Sequence, residues 1–405
     1  MALSIKGLEP FRSREFTCYF ISRFLSALAT RMIDVAVAWL VYDITGSPIA
    51  LGLIGLAIFT PNILFLLIAG HVADHYDRRR VLITCYCVAA SASLGLYLTV
   101  ATNSVAPPII YALIFLIGTA RAFSSPASAA IVPSLVPKEI FANAIAVNAS
   151  AYQVATIIGP AVGGVAYLFG ASFVFLATTV LSLSCVGLIF MLKPRPPSAN
   201  KSELTWAYLT AGLKFIRFNK TLLGLISLDM FAVLLGGATA LLPMFAKDIF
   251  HTGPEGLGLL RSAPSLGAVV TALLLARFPL NKRVGMRMFQ AVAIFGVATI
   301  GFSLSPSILF ALPCLVVLGA ADMVSVYVRS TLVQLETPDD MRGRVSAVNS
   351  MFIGASNELG EFESGVLASL MGPVPAVLVG GVGAIGVTLL WMRLFPALRD
   401  RDKLA

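Results

Sequence analysis

Residues 171–192 have the sequence ASFVFLATTVLSLSCVGLIFML, and residues 193–203, which follow, have the sequence KPRPPSANKSE. The first stretch has no charged residue over a length that crosses a bilayer, since a spanning helix needs about 20 apolar residues. Backbone groups in hydrocarbon must pair within their own segment, and the stretch lacks the alternating polarity of a barrel strand. It therefore predicts a membrane-spanning α-helix that ends at a polar linker.

The rest of the chain has the same character. Of its 405 residues, 58% are hydrophobic and only 12% are charged, against about 25% charged in soluble domains. This composition excludes a soluble enzyme, a secreted disulfide scaffold and a disordered regulator. A span with its connection takes about 33 residues, which predicts about twelve spans. The spans are predicted at residues 16–42, 48–72, 81–101, 108–130, 141–168, 171–192, 221–246, 255–277, 287–304, 307–333, 345–370 and 375–396.

Basic residues lie in alternate connections between the predicted spans, and the opposite connections contain only Lys247. The basic set comprises Lys6, Arg12, Arg14, Arg78–Arg80, Lys138, residues 193–220, Lys282, Arg283, Arg342, Arg344 and residues 399–403. Such asymmetry places the basic connections and both termini in the cytoplasm. The formal net charge of +9 is thus interpreted as a topology signal, and no nucleic-acid partner is expected.

The chain divides into two similar halves. Residues 1–192 are predicted to form an N-terminal six-helix bundle, residues 193–220 a cytoplasmic linker, and residues 221–405 a C-terminal six-helix bundle. Apolar residues recur at helical spacing in the linker beside Lys214 and Arg217, which predicts an amphipathic interfacial helix. These are Leu204, Trp206, Leu209, Leu213 and Ile216.

The two halves match at a fixed offset of 201 residues. The matched pairs include Gly118 with Gly319, Pro137 with Pro338, Glu139 with Asp340, Asn148 with Asn349 and Gly159 with Gly360. Two copies with an even number of spans must point the same way in the membrane. The predicted fold is therefore all-α, with two pseudo-symmetric bundles around a central cavity, as is typical of transporters.

Three motifs resemble those of the major facilitator superfamily. The segment GHVADHYDRRR (residues 70–80) resembles its signature loop, although His75 stands where a basic residue is usual and Asp77 where a glycine is usual. The segment TPDDMRGRVSAVNS (residues 337–350) is similar to the branch of bacterial enterobactin exporters. The segment IIGPAVGG (residues 157–164) resembles a motif of drug and proton antiporters. The resemblance covers nearly the whole chain and implies an exporter.

The resemblance also implies roles for motif residues. The loop residues Gly70, Asp74, Arg78 and Arg79 would form a gate that latches spans two and eleven in the outward-facing state. A basic loop that only sets topology is the alternative. In span five, Gly159, Pro160, Gly163 and Gly164 would allow close helix packing and a local bend, with or without a specific antiport role.

Charged residues inside spans are the strongest functional candidates, because each costs about 2.5–3.5 kcal/mol at a helix centre unless it faces water or a partner. We predict proton coupling at Asp34, Glu358 and Glu361, and contact with the substrate at Arg31, Asp229, Asp322, Asn357 and Glu363. The resemblance adds Arg121 to the proton-coupling residues, because similar antiporters have a basic residue linked to proton transfer at this place in span four. The offset places Arg121 opposite Asp322, so these two could pair. Structural ion pairs are the alternative, favoured for Arg23 and Arg329.

Span eleven contains the most unusual segment, ASNELGEFESG (residues 355–365). Glu358 and Glu361 are three residues apart and share a helix face, whereas Glu363 points away from Glu361. Two carboxylates on one face disfavour joint ionisation, which would let one bind and release a proton near neutral pH. A static contact with Asn357, Arg261 or the backbone is the alternative.

Together with the resemblance, the sequence predicts a monomeric secondary transporter of the bacterial inner membrane. The resemblance implies that it exports a small amphipathic molecule, a siderophore or a drug-like compound, by proton antiport and alternating access. Its partners would be the substrate, protons and the lipid bilayer. It has no phosphate-binding loop for ATP, and no cofactor or metal is expected, since the five cysteines are interpreted as small buried hydrophobes. The rivals are a non-transporting sensor or scaffold, and a lipid-modifying membrane enzyme that uses His71, Glu358 and Glu361.

Overall fold

The computed structural model describes residues 9–194, 206–280, 282–339 and 341–403. Within these ranges the chain consists of helices and short connections, without β-strands. Lys6, Asp340 and residues 195–205 of the predicted linker, including Leu204, lie outside the described residues, as does the side chain of Trp206.

The described part of the chain contains sixteen α-helices and a few short 3₁₀ and π segments. The α-helices are α1 (Arg14–Thr45), α2 (Pro48–Leu64), α3 (Leu66–His75), α4 (Arg78–Ala101), α5 (Pro107–Ile131), α6 (Phe141–Ala166), α7 (Ala171–Phe190), α8 (Trp206–Phe218), α9 (Lys220–Leu235), α10 (Leu242–Met244), α11 (Pro254–Arg277), α12 (Val284–Ser303), α13 (Ile308–Leu335), α14 (Arg342–Met371), α15 (Pro373–Leu394) and α16 (Pro396–Arg399). The 3₁₀ segments are Glu9–Arg12, Val132–Ser134, Lys138–Ile140, Tyr167–Phe169 and Ala238–Leu241, and Phe245–Ile249 is a π segment.

Ten helical segments in the described ranges are long and apolar enough to cross a membrane. The pair α2 and α3, bent by 54°, makes an eleventh span. Helix α14, with 30 residues, is long enough for a twelfth but contains the three glutamates, which lower its apolar character. The all-α integral membrane fold with twelve long helices is therefore confirmed.

The chain forms two compact units. The first contains Met1–Leu40 and Ala57–Leu204, and the second contains Val41–Leu56 and Thr205–Ala405. The end of α1 and the first half of α2 thus pack with the second unit. The boundaries predicted from the sequence at residues 192 and 220 stay a prediction.

The core of the first unit lies among α1, α4, α5 and α7. Phe16, Tyr19, Leu82 and Ile189 are almost completely buried there, and the Tyr19 hydroxyl donates to the Ser128 carbonyl at 2.9 Å. Cys18, Cys85 and Cys185 belong to the same core, in line with their interpretation as small hydrophobes. Cys87 is exposed, so that interpretation is wrong for it. It lies two residues beyond Cys85, on another face of α4.

Span two bends at Phe65. Pro61 removes a backbone donor within α2, and Phe65 leaves the helical conformation with φ −102° and ψ 7° before α3 begins. The Phe65 ring packs against Phe123 of α5, with 5.6 Å between ring centroids. Proline in a helix interior is a usual cause of such bends, and the ring contact holds the bent segment against its neighbour.

Residues 206–218 of the linker form α8 within the second unit. Leu209 and Ile216 are buried, whereas Lys214 and Phe218 are exposed. The Arg344 guanidinium lies over the Tyr208 ring, 5.4 Å from its centroid. This helix therefore packs on the start of α14, and its place at a membrane interface stays a prediction.

In the second unit, α11 and α13 cross at two glycines. A Cβ atom on Gly319 would overlap the Pro264 carbonyl oxygen, and one on Gly267 would overlap the Val316 carbonyl oxygen. Small residues at such crossings let helix backbones approach closely in membranes. The pair α11 and α13 therefore depends on the absence of side chains at these two positions.

We expect Gly319→Ala to lower the free energy of unfolding by about 1–3 kcal/mol, because the added methyl group forces two backbones apart. Denaturant unfolding in detergent micelles measures the change. Gly187→Ala is the matched control, since Gly187 lies within a helix and a Cβ there would meet nothing within 4 Å. Equal stabilities of the two variants would contradict this account of the crossing.

Candidate substrate and proton site

Asp34 lies in the interior of α1 and is held by two arginines of the first unit. Arg121 Nη2, from α5, lies 2.7 Å from Asp34 Oδ1, and Arg31 Nη1, one turn earlier on α1, lies 3.3 Å from Asp34 Oδ2. The Asp34 side chain is 16% exposed. Hydrogen bonds between charged groups are stronger than neutral ones. We call Arg31, Asp34 and Arg121 the Asp34 cluster.

Helix α6 completes the surroundings of the Asp34 cluster. Arg31 Nη2 donates to the Tyr152 hydroxyl at 3.2 Å, and the Arg23 guanidinium lies 4.9 Å from the centroid of the Tyr152 ring. A Cβ atom built on Gly159 would lie 2.6 Å from Arg31 Cβ, and one on Gly163 would lie 2.8 Å from Met32 Cα. These glycines therefore let α6 approach α1 beside Arg31. The other two motif residues, Pro160 and Gly164, are buried in α6.

The Asp34 cluster has two guanidinium groups and one carboxylate, a formal charge of +1 when Asp34 is ionised. A proton on Asp34 would raise it to +2 and leave two like charges in a partly buried site. Charges interact more strongly at such a site than in water because the effective dielectric constant is lower. The cluster is therefore an arrangement in which binding one proton changes the forces between α1 and α5.

The structure pairs Arg121 with Asp34, which the offset of 201 residues did not predict. Arg121 and Thr30 also line an internal cavity of about 30 Å³ in the first unit, shared with Cys85 and Ala120. A cavity of this size holds about a single water molecule. The pairing predicted between Arg121 and Asp322 stays a prediction.

The second unit contains a more deeply buried ion pair. Arg329 of α13 bonds to Asp229 of α9, and their side chains are only 6% and 5% exposed. The Ser325 hydroxyl donates to Asp229 Oδ1 at 3.3 Å. Asp322 lies one turn before Ser325 and lines a cavity of about 10 Å³ beside Asp229. This burial favours the interpretation of Asp229 and Arg329 as a structural ion pair. Asp322 is the acidic residue of α13 that lies nearest to this pair.

Glu358 and Glu361 of α14 both face Gly55 of α2, within the second unit. A Cβ atom built on Gly55 would lie 3.1 Å from Glu361 Oε2 and 3.3 Å from Glu358 Oε2. The two carboxylates thus lie on the helix face shared with α2. Asn357 is exposed and Glu363 is partly buried. The roles of these residues in proton coupling or in static packing stay predictions.

The loop between α3 and α4 is held by Asp77 and by Arg79, and only the second of these belongs to the predicted gate. The Asp77 carboxylate accepts a hydrogen bond from the Arg79 backbone N–H at 3.0 Å and caps α4. The Arg79 side chain donates to the carbonyl of Phe190 at 2.6 Å, at the end of α7. Among the described residues, Asp74 forms no ion pair with Arg78. Gly70 lies within α3, and the gate stays a prediction.

Sequence reasoning missed Tyr152 and Asp77. Asp77 was visible as an acidic residue directly before a helix, which is a common capping position. No signal identified Tyr152, because an aromatic residue in an apolar helix has no pattern of its own. Two polar contacts in the second unit were also missed: the Tyr42 hydroxyl bonds to Asp248, and Lys247 pairs with Asp43.

The chain was compared with known families and proteins. The sequence profile of the transmembrane secretion effector family matches residues 5–404. A protein named enterobactin exporter EntS from Citrobacter koseri is 27% identical over 395 residues, covering 95% of this chain and 92% of its own length. Its namesake from Shigella boydii is 26% identical over 398 residues, with the same coverage of both chains.

Solved structures show the same fold. The crystal structure of the nucleoside transporter NupG aligns with a TM-score of 0.73 at 13% identity, covering 94% of this chain and 99% of that one. A bacterial homologue of the human lysosomal transporter Spinster, in an inward-facing and occupied conformation, aligns with a TM-score of 0.74 at 14% identity, covering 96% of both chains.

Fold and comparisons define a multi-pass membrane protein of the major facilitator superfamily, a secondary transporter of small molecules. Within that superfamily, the chain belongs to the transmembrane secretion effector family, whose profile covers nearly all of it. It is therefore not an enzyme, and the lipid-modifying activity considered for His71, Glu358 and Glu361 is not retained.

We expect Asp34→Asn to lower the free energy of unfolding by about 1–3 kcal/mol, because it leaves two guanidiniums without their counter-charge. The Arg121→Gln substitution should then cost less in the Asp34→Asn background than in the wild type. A double-mutant cycle, followed by denaturant unfolding in detergent micelles, measures this coupling. Asp43→Asn is the control, since its more exposed pair with Lys247 should contribute less. Additive effects of the two substitutions would contradict the described contact.

Proposed function

We propose that this transporter exports a small amphipathic molecule of the siderophore type across the bacterial inner membrane by proton antiport. It would work by alternating access as a monomer with both termini in the cytoplasm. The observation that carries the proposal is the Asp34 cluster, in which one carboxylate inside a spanning helix is shared by Arg31 and Arg121. Ionisable residues inside membranes generally mark pathways for ions, protons or substrates.

The relatives support the direction of transport and the class of substrate. Proteins named enterobactin exporters match 95% of the chain at 26–27% identity. Such relatives suggest an oxygen-rich substrate of the siderophore type. A molecule with hydroxyl groups on an apolar frame fits a site that offers a carboxylate as acceptor within apolar helices.

The proposed coupling follows from the charges of the Asp34 cluster. In the ionised state Asp34 attracts both arginines and accepts hydrogen bonds from substrate hydroxyl groups. A proton weakens that acceptor and leaves Arg31 and Arg121 repelling each other without a counter-charge. Binding of a proton therefore disfavours binding of the substrate, and the reverse. This antagonism is what antiport requires, because a ligand shifts a conformational equilibrium only by its different affinity for the two states.

The pair Glu358 and Glu361 is the second candidate proton carrier. Both carboxylates face Gly55, where two acidic groups on one helix face disfavour joint ionisation. The other residues predicted to contact the substrate, Asp322, Asn357 and Glu363, belong to the second unit as well. We propose that these three residues contact the substrate, because polar groups inside spanning helices generally line a transport pathway.

We expect Asp34→Asn to abolish the pH-gradient dependence of transport in proteoliposomes, with gradient-driven flux reduced at least about tenfold. The neutral amide can no longer bind and release a proton, so the pH gradient cannot drive transport through this residue. Asp43→Asn, at the end of the same helix, should retain coupling. Folded protein is quantified by size-exclusion chromatography so that loss of coupling is separated from loss of protein.

Glu358→Gln and Glu361→Gln are measured in the same assay. If either glutamate variant loses coupling while Asp34→Asn keeps it, the proton carrier lies on α14, and the assignment of this role to Asp34 is refuted. Unchanged coupling in all three variants would contradict proton antiport through these residues.

The substrate class is tested by comparing metabolites in the medium of bacterial cells with and without the gene, under iron limitation and iron sufficiency. We expect a siderophore-type compound to fall several-fold in the medium of cells without the gene, and to accumulate inside them, only under iron limitation. The same loss in both conditions would favour a drug-like substrate instead. An unchanged medium in both conditions would contradict export of a cellular metabolite.

A further inference from the structure

The bend of span two leaves an apolar crevice in the first unit that the Asp34 cluster does not use. The crevice has a volume of about 460 Å³ and lies between α3, α4 and α5. This volume falls within the range of about 300–1,000 Å³ typical of small-molecule sites. It is more than ten times that of the cavity beside Arg121, which is about 30 Å³.

The position of α3 accounts for the crevice. Helix α3 turns away from α2 by 54° at Phe65 and packs chiefly against α5. The Phe65 ring lies on Phe123, which also lines the crevice. The space between α3 and α4 therefore lies beside the bend, and Phe123 both lines it and packs against the residue at which the span bends.

The walls of the crevice suit a hydrocarbon chain. Val72 of α3, Val81 and Val88 of α4, and Phe123 of α5 supply apolar surface. Burial of apolar groups against such walls is favourable by about 25 cal/mol per Å². Polar lining groups are few, and Thr84 is the one on α4 nearest the middle of the wall.

The two ends of the crevice differ. Tyr76, which is 60% exposed, and the exposed Arg80 lie at one end, where the first turn of α4 begins. Within the described part of the chain, Arg80 forms no ion pair. Cys85 and Ala120, 5% and 6% exposed, lie deeper, and the same two residues line the small cavity that contains Arg121. The lining of the crevice is thus mostly apolar, and Arg80, the one cation among the lining residues that the structure describes, lies beside the exposed Tyr76.

We infer that this crevice binds a membrane lipid with an anionic headgroup, whose acyl chain lies along α4 and whose phosphate pairs with Arg80. Arg80 is at the end of a spanning helix, the level at which headgroups lie, and its charge is complementary to a phosphate. The apolar walls below it match an acyl chain. The inference is independent of the proposed substrate and of proton coupling.

Native mass spectrometry of the purified full-length chain tests the inference, with phosphatidylglycerol and phosphatidylcholine of identical acyl chains as probes. We expect the wild type to retain phosphatidylglycerol about tenfold more tightly than phosphatidylcholine, since only the former has a net negative charge. Arg80→Gln should bring that ratio close to one. Arg287→Gln, an exposed arginine in the first turn of α12, is the matched control and should leave the ratio unchanged.

Thr84→Trp tests occupancy of the crevice itself. The indole ring would fill the space, so binding of both lipids should fall several-fold, whereas Leu98→Trp, at an exposed position on the same helix, should bind as the wild type does. Val88→Phe is the second filling variant, used if size-exclusion chromatography shows that Thr84→Trp does not fold. Full retention of phosphatidylglycerol in a folded filling variant would overturn the inference. So would a co-purified molecule other than a lipid that is lost when the crevice is filled.

Discussion

The energetic cost of charge within hydrocarbon is the constraint on which the first unit depends. Asp34 and its two arginines lie on helices whose other residues are mostly apolar, and each charge needs a partner within reach. One carboxylate serves both guanidiniums, at 2.7 Å and 3.3 Å. That arrangement holds α1 and α5 together while Asp34 is ionised. The same interaction is therefore the basis of the proton coupling that we propose.

Close helix packing and charge are linked at this site. The glycines of α6 were expected to permit close packing, and they do so where Arg31 and Met32 pass. Because Gly159 has no side chain, the stem of Arg31 lies against α6, and its guanidinium reaches both Asp34 and Tyr152. A motif of small residues thus determines where the Arg31 side chain lies.

The two halves of the sequence repeat each other, but they use charge differently. In the second unit Asp229 and Arg329 form a closed pair with Ser325, with side chains almost out of contact with solvent. Such a pair is costly to break, because either partner alone would be an uncompensated buried charge. Two partly buried acids of that unit, Glu358 and Glu361, lie on α14 against Gly55. A symmetric helix framework therefore contains a partly exposed carboxylate shared by two arginines in one unit and a deeply buried ion pair in the other.

The number and type of spans, and the helices in which the charged residues lie, could be predicted from the sequence, because apolar length and the cost of a charge are local properties of a segment. Even α14, with its three glutamates, was recognisable from its length and flanks. The bend at Phe65, the partner of Arg121 and the contact between Tyr152 and Arg31 could not be predicted. They depend on which helices lie side by side and at what angle, and on side chains that reach across that distance. Only the tertiary structure determines these neighbours. The interaction energy of a buried charge depends on residues of two helices, so the sequence of either helix alone does not give it.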